Sequence, residues 1–312
     1  MTFRAAVIGL GQIGLSYTVS GERASHVSSY LANPKTELVG VADINDQKLE
    51  AFKTEYPNIP RYTDYETMLS RERPEIVSVC TPTETHAKIV RNCARFSSTK
   101  VIFCEKPIAS TAEDAERMIR TCEQFGVKLA VNHSRRYDPA YRLLWGILNK
   151  AWRYLCDKGM QASKGYMRWD IGELLAFDGR FSSGRIREGV HMTDMYNWYK
   201  QANTEFSLLN IPTPYLVFEF DLIGSEGLIK IMNNGASIQL WKPKESERYA
   251  GIGLKELEHA ATLDIKYDFS RAMLNAVEDL VECAQSEKQP ECDGRRGLEA
   301  LKLCHEVFKD GS

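Results

Sequence analysis

The chain has 312 residues, of which 43% are hydrophobic, 26% charged and 10% aromatic, with 21 Gly and 11 Pro. That length predicts two domains or one large α/β unit, and the composition excludes collagen-like, low-complexity and disordered chains. Forty Lys and Arg stand against 42 Asp and Glu, a formal net charge of −2, so no global positive field is available to hold nucleic acid or an anionic membrane.

The apolar stretch from Ala5 to Leu15 is broken by Gly9, Gly11 and Gly14, which sets it apart from the apolar helix of a signal peptide. No other run approaches about 18 consecutive apolar residues, and the expectation is a soluble, cytoplasmic protein. The eight cysteines contain no C-x-x-C pair, and several lie in apolar runs such as Val77 to Cys80 and Val101 to Cys104. They read as reduced core thiols, and no metal site is expected.

Short β-rich runs alternate with amphipathic stretches over the first 131 residues: Phe3 to Ile8, Leu38 to Ala42, Ile76 to Cys80, Val101 to Cys104 and Lys128 to Val131. Helices are predicted over His86 to Phe96 and over Ala112 to Phe125, the second capped by Ser110 or Thr111 with Glu113 and Asp114 in its first turn. This alternation specifies a doubly wound parallel sheet.

Gly9-Leu10-Gly11-Gln12-Ile13-Gly14 follows the first strand directly. In a G-x-G-x-x-G the first glycine turns the chain, the second lets backbone approach a diphosphate, and the anion sits on a helix N-terminus. Asp43 ends the second strand, where a carboxylate binds ribose hydroxyls; it lies further along than the usual ~20 residues, which is assigned to extra loop over Ser16 to Ser25. A 2′-phosphate would meet this carboxylate with like charge, so NAD is favoured over NADP, with Lys48 able to soften the preference. Thr81-Pro82-Thr83-Glu84-Thr85-His86 and Cys104-Glu105-Lys106-Pro107 follow two further strands, and such loops border the ligand crevice of an open α/β sheet.

After Asn132 come a predicted helix over Tyr141 to Leu155, a Gly- and Arg-rich segment over Gly179 to Gly189, and a hairpin in which Tyr215 to Phe220 turns through Gly224 to Gly227 into Leu228 to Ile231. Two helices, Phe269 to Gln285 and Gly297 to Lys309, close the chain. The predicted domains are 1–131 and 132–312, with residues 269–312 able to pack back on the first.

The ordered set of Gly9 to Gly14, Asp43, Thr81 to His86, Glu105 to Pro107, Asn132 to Pro139, Gly189 to Asp194 and Gly224 to Gly227 resembles the glucose-fructose oxidoreductase, inositol dehydrogenase and rhizopine catabolism (Gfo/Idh/MocA) family. The resemblance implies an α/β protein: an N-terminal Rossmann sheet plus a C-terminal α/β domain with an open, mostly antiparallel sheet that often mediates homo-oligomers. It also implies NAD(P)-dependent oxidation of a CH–OH group on a sugar, nucleotide sugar, sugar acid or cyclitol. Gly9, Gly11, Gln12, Ile13, Gly14, Asp43, Thr81, Pro82, His86, Glu105 and Lys106 would hold the cofactor. Lys106, Arg136, Tyr137, Arg187, His191 and Asp194 would face substrate. Lys106 would bond the reacting oxygen and His191 would take its proton, chemistry that suits an ammonium and an imidazole.

Several readings stay open at this level. His86 either borders the nicotinamide pocket or simply starts its helix. Arg136 and Tyr137 either touch substrate or close the sixth strand. Arg187 stands where many active members carry Asp, which removes a carboxylate that would orient His191; Asp194, one turn on, is the substitute. Arg180, Arg185 and Arg187 form either an anion site for a phosphate or carboxylate on the substrate, or a solvated loop. The short passage from Asn210 to Tyr215 predicts a trimmed second domain. The competing functions are a dinucleotide-binding regulator without catalysis and an NAD-assisted glycosidase.

Overall fold

A computed structural model describes residues 1–19, 21–150, 169–182, 185–214, 216–263 and 268–308, with the side chains of 185–188 outside the description. The chain divides into two compact units, one of Met1–Tyr137 with Phe269–Lys302 and one of Asp138–Asp268 with Leu303–Ser312. The division falls after residue 137 rather than 131, and residues 269–302 fall with the first unit.

In the first unit, β1 (Phe3–Ile8), β4 (Thr36–Ala42), β5 (Arg61–Tyr62), β6 (Ile76–Val79), β7 (Val101–Cys104) and β8 (Lys128–Val131) form one sheet in the order β5-β4-β1-β6-β7-β8. Every pair is parallel. Strands β6 and β7 are buried at every position, as apolar runs covered on both faces must be. Asn45, Asp64 and Thr111 each accept backbone N–H groups at the starts of α2 (Asp46–Glu55), α3 (Tyr65–Glu72) and α5 (Ala112–Gln124); of the two candidate caps for α5, Thr111 is therefore the one used.

Helix α4 (Thr83–Cys93) begins three residues before His86, with Pro82 at its N-cap. The residues assigned to extra loop hold structure of their own. A single π-helical turn, Gln12–Ser16, is followed by a small hairpin, β2 (Thr18–Val19) with β3 (Glu22–Arg23), and only then by α1 (His26–Ala32). A capping box between Ser25 and Ser28 opens α1. The helix N-terminus expected to receive the diphosphate is here the single turn Gln12–Ser16, whose dipole is correspondingly small.

The second unit carries the sheet β10-β9-β11-β12-β13-β14, formed by β9 (Leu174–Phe181), β10 (Glu205–Asn210), β11 (Phe218–Gly224), β12 (Gly227–Met232), β13 (Ser237–Glu245) and β14 (Lys255–Thr262). Only β9 and β10 pair in parallel; the other pairs are antiparallel. The predicted hairpin is present, with Gly224 opposite Gly227 across the turn. Its core is aromatic: Phe177 stacks on Phe220 at 4.8 Å, among Tyr141, Phe181, Tyr199 and Phe218. Helix α6 (Pro139–Leu148) is capped by Asp138, and α7 spans Arg185–Tyr199; residues 151–155 of the predicted Tyr141 to Leu155 helix lie outside the described residues. The closing helices are α8 (Phe269–Gln285) and α9 (Gly294–Phe308).

Arg180 corrects the reading of Gly179 to Gly189 as one loop. It lies in β9, its guanidinium 3.3 Å from Asp221, where an ion pair across neighbouring strands occupies it. Among the cysteines, Cys80, Cys93, Cys104, Cys122 and Cys283 are buried, and burial pushes the Cys122 thiol up to about 12. Cys156 lies outside the described residues.

Candidate active site

The loops at the carboxyl ends of β1, β4, β6 and β7 bring most of the predicted cofactor residues into the first unit. Gly9 has φ +99°, and a Cβ there would meet the Cys80 carbonyl oxygen at 2.7 Å, so both the turn and the close approach require glycine. A Cβ on Gly14 would fall 2.0 Å from the Gly9 oxygen. At Gly11, by contrast, a Cβ would meet nothing within 4 Å. The first and third glycines are therefore fixed by the protein's own backbone, while the second faces open space, the arrangement a diphosphate needs to approach the chain. Gln12 is exposed and Ile13 packs its side chain against the core.

Asp43 ties this turn to the end of β4. Its Oδ2 accepts the Leu10 N–H at 2.7 Å, its Oδ1 accepts the Asn45 N–H at 2.9 Å, and Lys48 Nζ lies 3.2 Å from Oδ2. A carboxylate has about four acceptor positions, so capacity remains for a ribose hydroxyl. The Thr81 hydroxyl accepts from Thr85 at 2.7 Å, and Pro82 is exposed at the start of α4.

At the end of β7, Lys106 is partly exposed while Glu105 is only 7% exposed. Glu105 Oε1 accepts from His26 Nε2 at 2.8 Å and from Asn132 Nδ2 at 2.6 Å, and Oε2 lies 3.3 Å from the Lys106 N–H. Burial works to raise this carboxyl, but the interaction with His26, the hydrogen bond from Asn132 and the positive charge of Lys106 outweigh it and hold Glu105 below its ordinary range. Since the ionised carboxylate only accepts, the proton between the pair sits on His26 Nε2. The other ring nitrogen, Nδ1, lies 2.8 Å from Ser78 Oγ, which is 2.7 Å from the Tyr30 hydroxyl.

His86 is fully buried, with Nδ1 3.0 Å from the Pro107 oxygen and Nε2 2.8 Å from the Thr81 oxygen. Its ring therefore lies between two loops, with a carbonyl oxygen facing each nitrogen, rather than merely starting a helix. Tyr137 is fully buried in the first unit, its hydroxyl donating to Asp279 Oδ2 at 3.4 Å and its backbone oxygen accepting from Asn275 at 2.8 Å. Of the two readings left open for Tyr137, this burial suits the structural one, closing the sixth strand. Arg136 is 3% exposed in the 3-10 turn Ser134–Tyr137.

In the second unit, His191 and Asp194 lie on α7, 7% and 0% exposed. A spacing of i, i+3 places them on the same helical face, and the His191 ring stands edge-on to Phe218 at 6.4 Å. Arg187 belongs to the same helix, with its side chain outside the description.

Sequence reasoning missed His26, Ser78 and Tyr30. None lies in a contiguous motif, and the one local signal was the Ser25 cap that fixes where α1, and so His26, begins.

Comparison with known proteins agrees with this geometry. Residues 3–133 match the family model described as "Oxidoreductase family, NAD-binding Rossmann fold". The inositol 2-dehydrogenase of Salmonella typhimurium is 31% identical over 157 residues, taking in 48% of this chain and 42% of the relative; the match thus spans less than half the relative's length. Two solved structures share the fold: the WlbA dehydrogenase from Bordetella pertussis in complex with NADH and UDP-GlcNAcA (TM-score 0.71, 15% identity, 99% of this chain and 95% of the other), and UDP-N-acetylglucosamine 3-dehydrogenase GnnA from Acidithiobacillus ferrooxidans (TM-score 0.70, 16% identity, 98% and 96%). No helix among the described residues is long and apolar enough to cross a membrane.

Proposed function

We propose, starting from the fact that residues 3–133 belong to the Gfo/Idh/MocA family of NAD-binding oxidoreductases, that this chain is an NAD-dependent dehydrogenase oxidising a secondary hydroxyl of a sugar, nucleotide sugar, sugar acid or cyclitol. The observation that carries the cofactor half is the open space at Gly11, set between two glycines that tolerate no side chain. The substrate class rests on relatives named inositol 2-dehydrogenase and UDP-N-acetylglucosamine 3-dehydrogenase.

When bound, nicotinamide supplies the acceptor for hydride. Backbone N–H groups of the Gln12–Ser16 turn would hold the dinucleotide's diphosphate, and the Asp43 carboxylate its ribose. Lys106 steadies the oxygen that gains negative charge as hydride leaves carbon, and His191 takes the hydroxyl proton as a neutral imidazole. Asp194 holds the His191 ring in that role in place of the carboxylate that Arg187 displaces.

The test is absorbance of reduced nicotinamide across myo-inositol, free sugars, sugar acids and UDP-linked sugars, with NAD and separately NADP. One substrate class should turn over, and Lys106→Ala and His191→Ala should each lower kcat by about 10²-fold to 10⁴-fold in a folded protein. Unchanged turnover in either variant refutes the assigned role. Glycoside cleavage without accumulated NADH would establish the glycosidase alternative, and NAD binding without any turnover would establish the regulator.

A further inference from the structure

We infer that His26 and His86 are positioning residues for Lys106, two buried imidazoles that hold its segment from either side. This rests on the assignment of Lys106 to the reacting oxygen. His26 bonds the side chain of the residue before Lys106, at 2.8 Å to Glu105 Oε1, and His86 lies 3.0 Å from the backbone oxygen of the residue after it, Pro107. Both rings are fully buried, so water does not compete for either bond.

The two clamps reach the segment from different helices and anchor it at two points of the same strand and its following loop, β6 and Thr81. His26 opens α1 and is backed on its other nitrogen by Ser78 of β6, itself bonded to Tyr30. His86 sits in α4 and binds the Thr81 oxygen at the end of β6 through its second nitrogen. A histidine serving the core alone needs only some partner for each nitrogen. Here one nitrogen of each ring goes to a residue adjacent to Lys106, and the other goes to β6 or the loop that follows it.

The clamps act on different atoms, which defines what each controls. His26 fixes the Glu105 carboxylate, whose charge and Lys106 act on each other; this orients an anion beside the ammonium. His86 fixes the path of the main chain just after Lys106. Its two partners are both carbonyl oxygens, which only accept, so a ring with one proton bonds one of the loops at a time and a ring with two bonds both. Displacement of a reacting group by about 1 Å costs on the order of 10²-fold in rate, so loss of either clamp should fall on kcat rather than on dinucleotide affinity.

The first readout needs no substrate. Hydrogen exchange of the free and NADH-bound protein should quicken at least about tenfold over residues 103–110 in His26→Ala and in His86→Ala, while residues 9–14 exchange as in the parent. His26→Gln keeps a donor for Glu105 and should restore most of the protection. Unchanged exchange over 103–110 in both alanine variants overturns the inference, as does loss of protection throughout the first unit with no rescue by His26→Gln.

The second readout is a double-mutant cycle on the substrate that turns over best. Each alanine variant should lower kcat by roughly tenfold to 100-fold with the NAD Kd changed less than threefold, and should add nothing in the Lys106→Ala background. Full additivity in that background overturns the inference even where Lys106 is essential. If Lys106→Ala leaves turnover unchanged, the assigned role of Lys106 fails instead.

Discussion

Each unit buries a carboxylate with several hydrogen-bond donors around it, and the two are driven in opposite directions. Glu105 in the first unit is held below its ordinary range, against burial, by His26, Asn132 and the charge of Lys106. Asp138 in the second unit accepts from the backbone of Ala140, Tyr141 and Asp268 at 2.9, 3.1 and 2.8 Å. Burial there outweighs those donors, and the neighbouring Asp268 charge adds to it, pushing Asp138 up to about 7. Backbone dipoles alone do not offset the lost hydration; a partner with positive charge does. The first unit uses polar side chains to keep an ion beside Lys106. In the second unit the carboxyl is a helix cap, and burial favours its neutral form.

The largest expected effects come from steric exclusion at glycines, and they separate the two units. Gly14→Ala would place a methyl group 2.0 Å from the Gly9 oxygen, and Gly224→Ala would place one 2.1 Å from the Ile171 oxygen. Backbone cannot yield that much, and overpacking of this kind costs about 1–3 kcal/mol or more. Gly14→Ala should weaken NAD binding at least 100-fold in a fluorescence titration. Gly224→Ala should lower the unfolding temperature of the second unit while leaving NAD affinity within about twofold. A strong NAD defect in Gly224→Ala would show that the units do not divide the work as described.

The carboxylates themselves give the next effect, with opposite signs. The raised Asp138 contributes stability that is fully present below its unfolded value near 3.8 and is lost as pH rises through about 7. Asp138→Asn retains an acceptor for Ala140 and Tyr141 and removes this loss, so its stability relative to the parent should rise by a few kcal/mol between pH 4 and 8. The lowered Glu105 contributes stability above its unfolded value near 4.5 that is lost as pH falls through its folded value. Glu105→Gln should therefore be destabilised most at neutral pH and converge on the parent in acid. Denaturant unfolding of both variants at several pH values reads the two trends side by side, and parallel curves would erase the contrast.

What was legible in the sequence follows the range of the interactions. The glycine motif and the Gly224 to Gly227 hairpin could be read from local spacing, and the α5 cap was narrowed to Ser110 or Thr111, of which the structure uses Thr111; the Cys80 carbonyl that also requires glycine at position 9 lies far along the chain. Five of the six strands of the parallel sheet followed from apolar runs, and the two-residue β5 did not. His26 meets Ser78 across 52 positions and Glu105 across 79, and no local pattern carries such a pairing. Arg180 looked like part of an arginine cluster because Arg185 and Arg187 are near it in sequence; its partner is Asp221 on the neighbouring strand. The stretch read as extra loop over Ser16 to Ser25 holds the Thr18 to Arg23 hairpin, and neither two-residue strand is long enough to show an alternation.

The smallest predicted effect concerns which dinucleotide the first unit prefers. Asp43 opposes a 2′-phosphate by like charge, an interaction of roughly 4 kcal/mol at about 4 Å and an effective dielectric near 20. Lys48 lies 3.2 Å from that carboxylate and is 44% exposed on its side chain. Pairs so exposed are worth about 0.2–1 kcal/mol, so Lys48 offsets only a small part of the repulsion. Lys48→Met should therefore raise the ratio of NADP to NAD dissociation constants, by about 1.5-fold to fivefold, measured from the fluorescence of the reduced cofactors. The direction matters more than the size. An unchanged ratio would mean that Lys48 serves only to hold Asp43 against the Leu10 N–H, and a lower ratio would mean that removing the cation frees Asp43 to turn away from the ribose.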